Sequence, residues 1–329
     1  MKRKTSFSPT FSANLRRVLG ALSLAVGMAH AEAPVVAITQ IVDHPSLNAI
    51  YRGIVDEVKE AGFEEGKSIR YEYENAQGNG AIAQQIAEKF VGMNPTVIVA
   101  ITTPSAQAAV NAAEGKLPVI FASVTDPVAA KLVPDLKTPV KNVTGTRDDI
   151  PLSKQLALVR SIVPEAKRFG TLYNTGDANS VATVEKLKLE LEALGLTLEA
   201  VPATKSSEVM EAAQSLVGKV DAVFIGLDNT VVSALEAVIQ VAEEHKLPIF
   251  SADTDSVKRG TIAALGFDYY DVGRVSGKQV VQVLQGIKPE EIPVTDVDKL
   301  NTVLNPAAAK RMGVEIPAAV LEQASEIVP

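Results

Sequence analysis

Side chains able to do chemistry gather in short polar segments that follow apolar runs. One set holds Gln40, Asp43, His44 and Ser46, then Thr102, Thr103 and Ser105, then Thr125 and Asp126. A second set holds Tyr173, Asn174, Asn179 and Ser180, then Asp228, Asn229 and Thr230, then Asp253, Thr254 and Asp255. Hydroxyl and amide groups beside helix N-termini, with the free backbone N–H groups there, can hold a carboxylate, and an Asp can hold an ammonium group. The same residue types cap helices, so any one of them carries little weight. Six such segments on corresponding strands favour a binding site for a small polar molecule.

Reaction chemistry is poorly provided for. Cysteine is absent, which removes thiol nucleophiles, thiolate metal sites and disulfides. Of three histidines, His30 lies in the N-terminal segment, and His245 falls in the last turn of a helix, where a cation is favoured. His44, in Asp43-His44-Pro45-Ser46, fits a binding role and a simple turn equally well. Two isolated histidines without a Gly-x-Ser-x-Gly elbow make neither a triad nor a zinc site. Gly62 to Ser68 imitates a phosphate loop, but it has three residues between its glycines where four are needed, and two are acidic. It reads as a turn, and Gly78-Asn79-Gly80 as a polar loop. No cofactor and no metal are expected.

The elements that must position these segments alternate in type. Strands are expected at Val35 to Thr39, Ser68 to Tyr73, Thr96 to Ile101, Val119 to Ser123, Arg168 to Tyr173, Thr197 to Ala200, Ala222 to Gly226, Ile249 to Ala252, Thr261 to Leu265 and Leu300 to Leu304. Amphipathic helices are expected at Ala49 to Ala61, Ile82 to Gly92, Ser153 to Ile162, Ser180 to Leu194, Val231 to His245 and Asp271 to Leu284, with a helical tail from Pro306 to Ile327. Strand and helix in alternation predict parallel, doubly wound α/β sheets. The Leu-Pro strand at Leu117 repeats at Leu247, and the strands at Thr96 and Val35 have counterparts at Ala222 and Arg168 in the same order. Two similar α/β lobes in tandem follow, with the junction near Asn142 to Arg147 and a second crossing near Gly266 to Tyr270. The expected division is 34–147 plus 268–297 for the N-terminal lobe and 148–267 plus 298–329 for the C-terminal lobe, joined by three crossings.

Composition bounds the rest. The 329 residues are 47% hydrophobic and 22% charged, enough for full cores. Met1 to Arg17 carry five basic residues and no acid, followed by eleven mostly apolar residues and Ala29-His30-Ala31. That pattern predicts a cleaved secretory signal at 1–31 and an exported protein. Without its five leader cations the chain has 27 basic and 39 acidic residues, a net charge of −12. Such a charge disfavours nucleic acid.

Several stretches together resemble a known family. Ala37 to Leu47, Asn75 to Gly78, Thr102 to Gln107, Val124 to Val128, Asn142 to Gly145 and Gly226 to Asn229 are similar, in order, to the ABC-transporter substrate-binding proteins whose better-known members bind tryptophan or phenylalanine. The resemblance implies a type I periplasmic binding fold, with a ligand trapped between two lobes and passed to an importer permease and its ATPase. It implies Thr103 and Ser105 for a ligand carboxylate and Asp228, then Asp126 and Asp253, for an ammonium. Asn174, Asn179 and Asn229 would complete the hydrogen bonding, and Tyr173, Phe267 or Tyr269 would stack on an aromatic side chain; Asp268, beside Tyr269, belongs to the same candidate set. Many Gram-positive members carry a lipidated Cys; its absence points to a free, monomeric periplasmic protein without a stable membrane anchor. A sensor for a membrane receptor and a secreted α/β hydrolase are the alternatives, the latter weakened by the scarcity of histidine.

Overall fold

In the computed structural model, residues 33–138 and 142–329 are described; the leader expected at 1–31 lies outside the described residues. Short apolar runs with β-branched residues, each followed by a helix with one apolar face, set up parallel pairing through crossovers. The first half contributes β1 (Val35–Gln40), α1 (Pro45–Glu60), β2 (Arg70–Asn75), α2 (Gly80–Met93), β3 (Val97–Ile101), α3 (Thr103–Ala113), β4 (Val119–Ala122) and β5 (Val143–Arg147). The second contributes α4 (Leu152–Ile162), β6 (Arg168–Tyr173), α5 (Ala178–Ala193), β7 (Thr197–Pro202), α6 (Val209–Leu216) and β8 (Ala222–Ile225). It continues with α7 (Asn229–Ser233), α8 (Leu235–His245), β9 (Ile249–Ser251), α9 (Asp255–Arg259) and β10 (Ala263–Gly266). The chain then forms α10 (Tyr269–Leu284), β11 (Thr295–Asp296), β12 (Asn301–Leu304), α11 (Pro306–Arg311), α12 (Ala318–Leu321) and β13 (Glu326–Ile327).

Two sheets result, ordered β11-β5-β4-β3-β1-β2 and β13-β12-β10-β9-β8-β6-β7. Every neighbouring pair is parallel except β10 with β12. The strands matched by sequence occupy equivalent places: β1 with β6, β3 with β8, β4 with β9. This is a doubly wound α/β fold in two lobes with three crossings. Each lobe has its own core, built on Ile38, Phe90, Ile98 and Phe121 in one and on Phe169, Leu191, Phe224 and Phe250 in the other. Each fully buried side chain of this kind is worth about 1.5–3 kcal/mol.

One strand is added and two expectations are corrected. Asn142 to Arg147, where the first lobe was expected to end, holds the interior strand β5, which was not expected. Its polar residues hid it, yet Thr144 and Thr146 are buried with partners: Thr144 Oγ1 donates to the Ile292 carbonyl at 2.6 Å, and Thr146 Oγ1 shares a 2.7 Å hydrogen bond with Ser276 Oγ. The helical tail is two short helices and an edge strand, interrupted at Gly313 and Pro317. The helix over Val231 to His245 is two helices, α7 and α8, broken at Ala234.

After the second crossing α10 returns to the first lobe and packs on α1 at backbone distance. A Cβ on Gly53 would lie 2.3 Å from the Tyr270 carbonyl oxygen, and one on Gly273 would lie 2.2 Å from that of Ile50. Tyr270 Oη donates to Asp56 at 3.0 Å beside this contact, and Arg274 pairs with Glu57 at 2.7 Å. Because neither backbone can yield, Gly273→Ala is expected to destabilise the fold by about 1–3 kcal/mol, measured by denaturant unfolding.

Candidate ligand-binding cleft

Each lobe reverses its strand order once, between β1 and β3 and between β6 and β8, and ligands bind outside the strand ends at such points. The loops after these strands face one another across a cleft with a polar and an apolar compartment. The polar one, about 410 Å³, is lined by His44, Thr102, Thr103, Thr125, Asn179, Asp228, Asn229, Asp253 and Tyr269 among others. The apolar one, about 600 Å³, is lined by Ala130, Ile150, Leu152, Ala182 and Phe224, with Asp126 and Lys186 among its polar residues. Thr103, Thr125, Asn179 and Leu227 line both, so the two compartments adjoin.

The helix N-termini of the two lobes are treated oppositely. From the first come the N-termini of α1 and α3, preceded by His44 and Thr102, and neither residue makes a side-chain cap. Their uncapped backbone N–H groups and helix dipoles face outward as partial positive charge. From the second come α5 and α7, capped by carboxylates. Asp177 accepts from Asn179 N–H at 2.9 Å, and Asp228 accepts from Val231 N–H at 2.8 Å and from Asn174 N–H at 2.6 Å. Burial pushes the Asp228 carboxyl up, against the pull of these hydrogen bonds. Burial lowers His44 to about 4, helped by the charge of Arg259, so the imidazole is neutral at neutral pH. Its Nδ1 has no partner, nor has Thr102 Oγ1.

The remaining candidates sit around the cleft rather than on its wall. Gln40 is fully buried beneath it, donating to the Val42 carbonyl and to Asn48 Oδ1, each at 3.0 Å. Ser105 is buried in α3. Asn174 donates its side-chain amide to Thr230 Oγ1 at 2.8 Å and so braces Asp228. Tyr173 and Ser180 line a small recess behind Asp228. Asp268 caps α10 by accepting from Tyr270 N–H at 2.9 Å and lines a separate groove. Phe267 is buried, its carbonyl accepting from Thr254 Oγ1 at 2.9 Å.

Sequence reasoning missed Ser123, Asp148 and Asp149, which line the cleft beside the first crossing. The acidic pair directly following the Thr-rich segment was the available signal. It also missed the contacts that join the lobes: Ser46 Oγ donates to Asp253 at 3.4 Å, and Lys186 Nζ to Asp126 at 3.2 Å. The second pair is half exposed, so its contribution is at most about 1 kcal/mol.

Two α/β lobes with facing switch points define a solute-binding protein of the type I periplasmic fold. The chain belongs to the ABC transporter substrate binding protein family, whose model matches residues 35–328. It is 38% identical over 280 residues, 85% of this chain and 81% of the relative, to a tyrosine-binding protein of Clostridioides difficile. A Streptococcus pneumoniae ABC domain in complex with L-Trp is 34% identical, with TM-score 0.86 over 90% of this chain and 100% of that one. The ligand-free, open structure of a Clostridium difficile substrate-binding protein with adhesive properties is 36% identical, with TM-score 0.67 over 90% of this chain and 99% of that one.

The second-lobe carboxylates have a measurable cost. Burial, and then the charge of Asp228, push Asp177 up from 3.8 to about 6. A folded-state pKa above the unfolded one means that the stability tied to this proton is complete below about pH 4 and is lost as pH rises towards 6. Asp177→Asn is therefore expected to raise the unfolding free energy at pH 7.5 by on the order of 2 kcal/mol and to change it little at pH 4, measured by denaturant unfolding. An equal effect at both values would assign Asp177 to capping alone.

Proposed function

We propose that the protein captures an aromatic α-amino acid in the periplasm and delivers it to the permease and ATPase of an ABC importer. The observation that carries this reading is the charge layout of the cleft. Uncapped helix N-termini face it from the first lobe, carboxylates line it at the first crossing and from the second lobe, and an apolar compartment lies alongside. An α-amino acid matches each part: its carboxylate suits the N–H groups at Thr103 and Ser105, its ammonium suits the Asp side chains, and its ring suits the space near Phe224 and Leu152.

The relatives support the ligand class, one being a tyrosine-binding protein and another a complex with L-Trp. At nearly equal identity the chain superposes better on that complex than on the ligand-free open structure. This supports a closed arrangement, held by the Ser46–Asp253 and Lys186–Asp126 contacts. Opening would turn the lobes about the crossings at 147/148, 267/268 and 297/298. The leader expected at residues 1–31 and the net negative charge of the remaining chain fit an exported protein.

A thermal-shift screen tests the ligand. L-Trp, L-Tyr or L-Phe at about 100 times its Kd is expected to add about 2.7 kcal/mol and to raise the melting temperature by several degrees. No response to any of the three would overturn the aromatic assignment. Ala182→Trp, which fills the apolar compartment from α5, is expected to weaken binding more than about tenfold while leaving the unliganded melt unchanged. Unaltered affinity in calorimetry would remove the ring from that compartment.

A further inference from the structure

We propose that Asp148, where the chain leaves β5 for the second lobe, is the anchor for the ligand's ammonium group. The inference rests on the reading of the cleft as an amino-acid site and names the residue that pairs with the positive end. Three carboxylates line the polar compartment: Asp148, Asp228 and Asp253. Two are already engaged at the start of helices of the second lobe. Asp228 accepts backbone N–H groups on both oxygens, from Val231 and from Asn174. Asp253 accepts from Ser256 N–H at 2.8 Å and from Ser256 Oγ at 2.5 Å, fixing the start of α9.

Asp148 is held differently. Its side chain takes only hydroxyl donors, Ser123 Oγ on Oδ2 at 2.5 Å and Thr125 Oγ1 on Oδ1 at 3.0 Å. Each oxygen keeps a lone pair, and hydroxyls turn readily to make room for a stronger donor. The residue is only 2% exposed, and a carboxylate at that depth is costly without a counter-charge. Burial accordingly pushes its carboxyl up, against the pull of the two hydroxyls.

Among the described residues none supplies that counter-charge. The lining of the polar compartment includes no Lys or Arg. Arg147 is engaged by Asp296 at 2.6 Å and Asp149 at 3.7 Å, and Lys186 reaches Asp126. His44 is neutral. The same compartment holds two polar atoms with no protein partner, His44 Nδ1 and Thr102 Oγ1, on residues 9% and 6% exposed. Thr102 also sits at φ +75°, a conformation that β-branched residues avoid. Unpartnered polar atoms and an unpaired carboxylate in one compartment describe a site completed by a ligand carrying both hydrogen-bonding groups and a positive charge.

The test compares amino acids with their desamino analogues, L-Trp with indole-3-propionate and L-Tyr with 3-(4-hydroxyphenyl)propionate, by calorimetry on wild type, Asp148→Asn and Asp228→Asn. Wild type is expected to prefer the amino acid by about 100-fold or more, the range for a buried charge pair. Asp148→Asn is expected to lose most of that preference while still binding the desamino acid; Asp228→Asn is expected to keep it. An unchanged preference in Asp148→Asn, or its loss only in Asp228→Asn, overturns the anchor while the amino-acid reading stands. A wild type that binds neither amino acid overturns both. If circular dichroism shows that Asp148→Asn does not fold, Thr125→Val takes its place. Removing one of the two hydroxyls that aim the carboxylate is expected to narrow the preference several-fold, and an unchanged ratio overturns the proposal.

Discussion

Parallel strands cannot be joined by tight turns, and that constraint underlies the rest of the molecule. Each strand must hand over to a crossover helix at the same edge of its sheet, so strand ends and helix N-termini accumulate there. Two lobes built this way, with the same strand order around each switch point, bring two such edges together. The cleft therefore inherits its character from backbone geometry before any side chain is considered. Side chains then assign the sign. The first lobe leaves its helix ends bare at His44 and Thr102, and the second covers its own with Asp177 and Asp228. A dipolar ligand is the natural complement of that asymmetry.

The core strands could be read from sequence because burial on both faces demands continuous apolar runs, as in Val97–Ile101 and Ala222–Ile225. The repeat was legible for the same reason, since matching strands carry matching runs. β5 was not, because its buried threonines find partners on Ile292 and Ser276, some 130 residues or more away, and no local pattern announces such a partner. The same limit governed the cleft. Loop residues flanking recognisable strands, such as Thr103 and Asp228, were found by position. Asp148 escaped because it follows a strand that had not been recognised. Gln40 and Ser105 were placed correctly along the chain, but the direction of a side chain within a loop or first helical turn depends on packing that the sequence does not display.

The structure distributes stiffness unevenly. The close approach of α1 and α10 fixes the returning chain to the first lobe without room for sliding, since backbone meets backbone at Gly53 and Gly273. Contacts between lobes include exposed polar ones, and the Lys186–Asp126 pair is half exposed. Such exposed pairs are weak individually, since water competes for both partners.

The threefold exchange of chain between lobes also sets the order in which the protein can become itself. The first sheet gains its edge strand only at Thr295–Asp296 and the second only at Glu326–Ile327, so the first lobe is completed by chain that follows most of the second. A continuous first lobe would be free to fold while the second was still being made. Interleaving the two postpones that commitment and ties the completion of each lobe to chain that lies beyond the other.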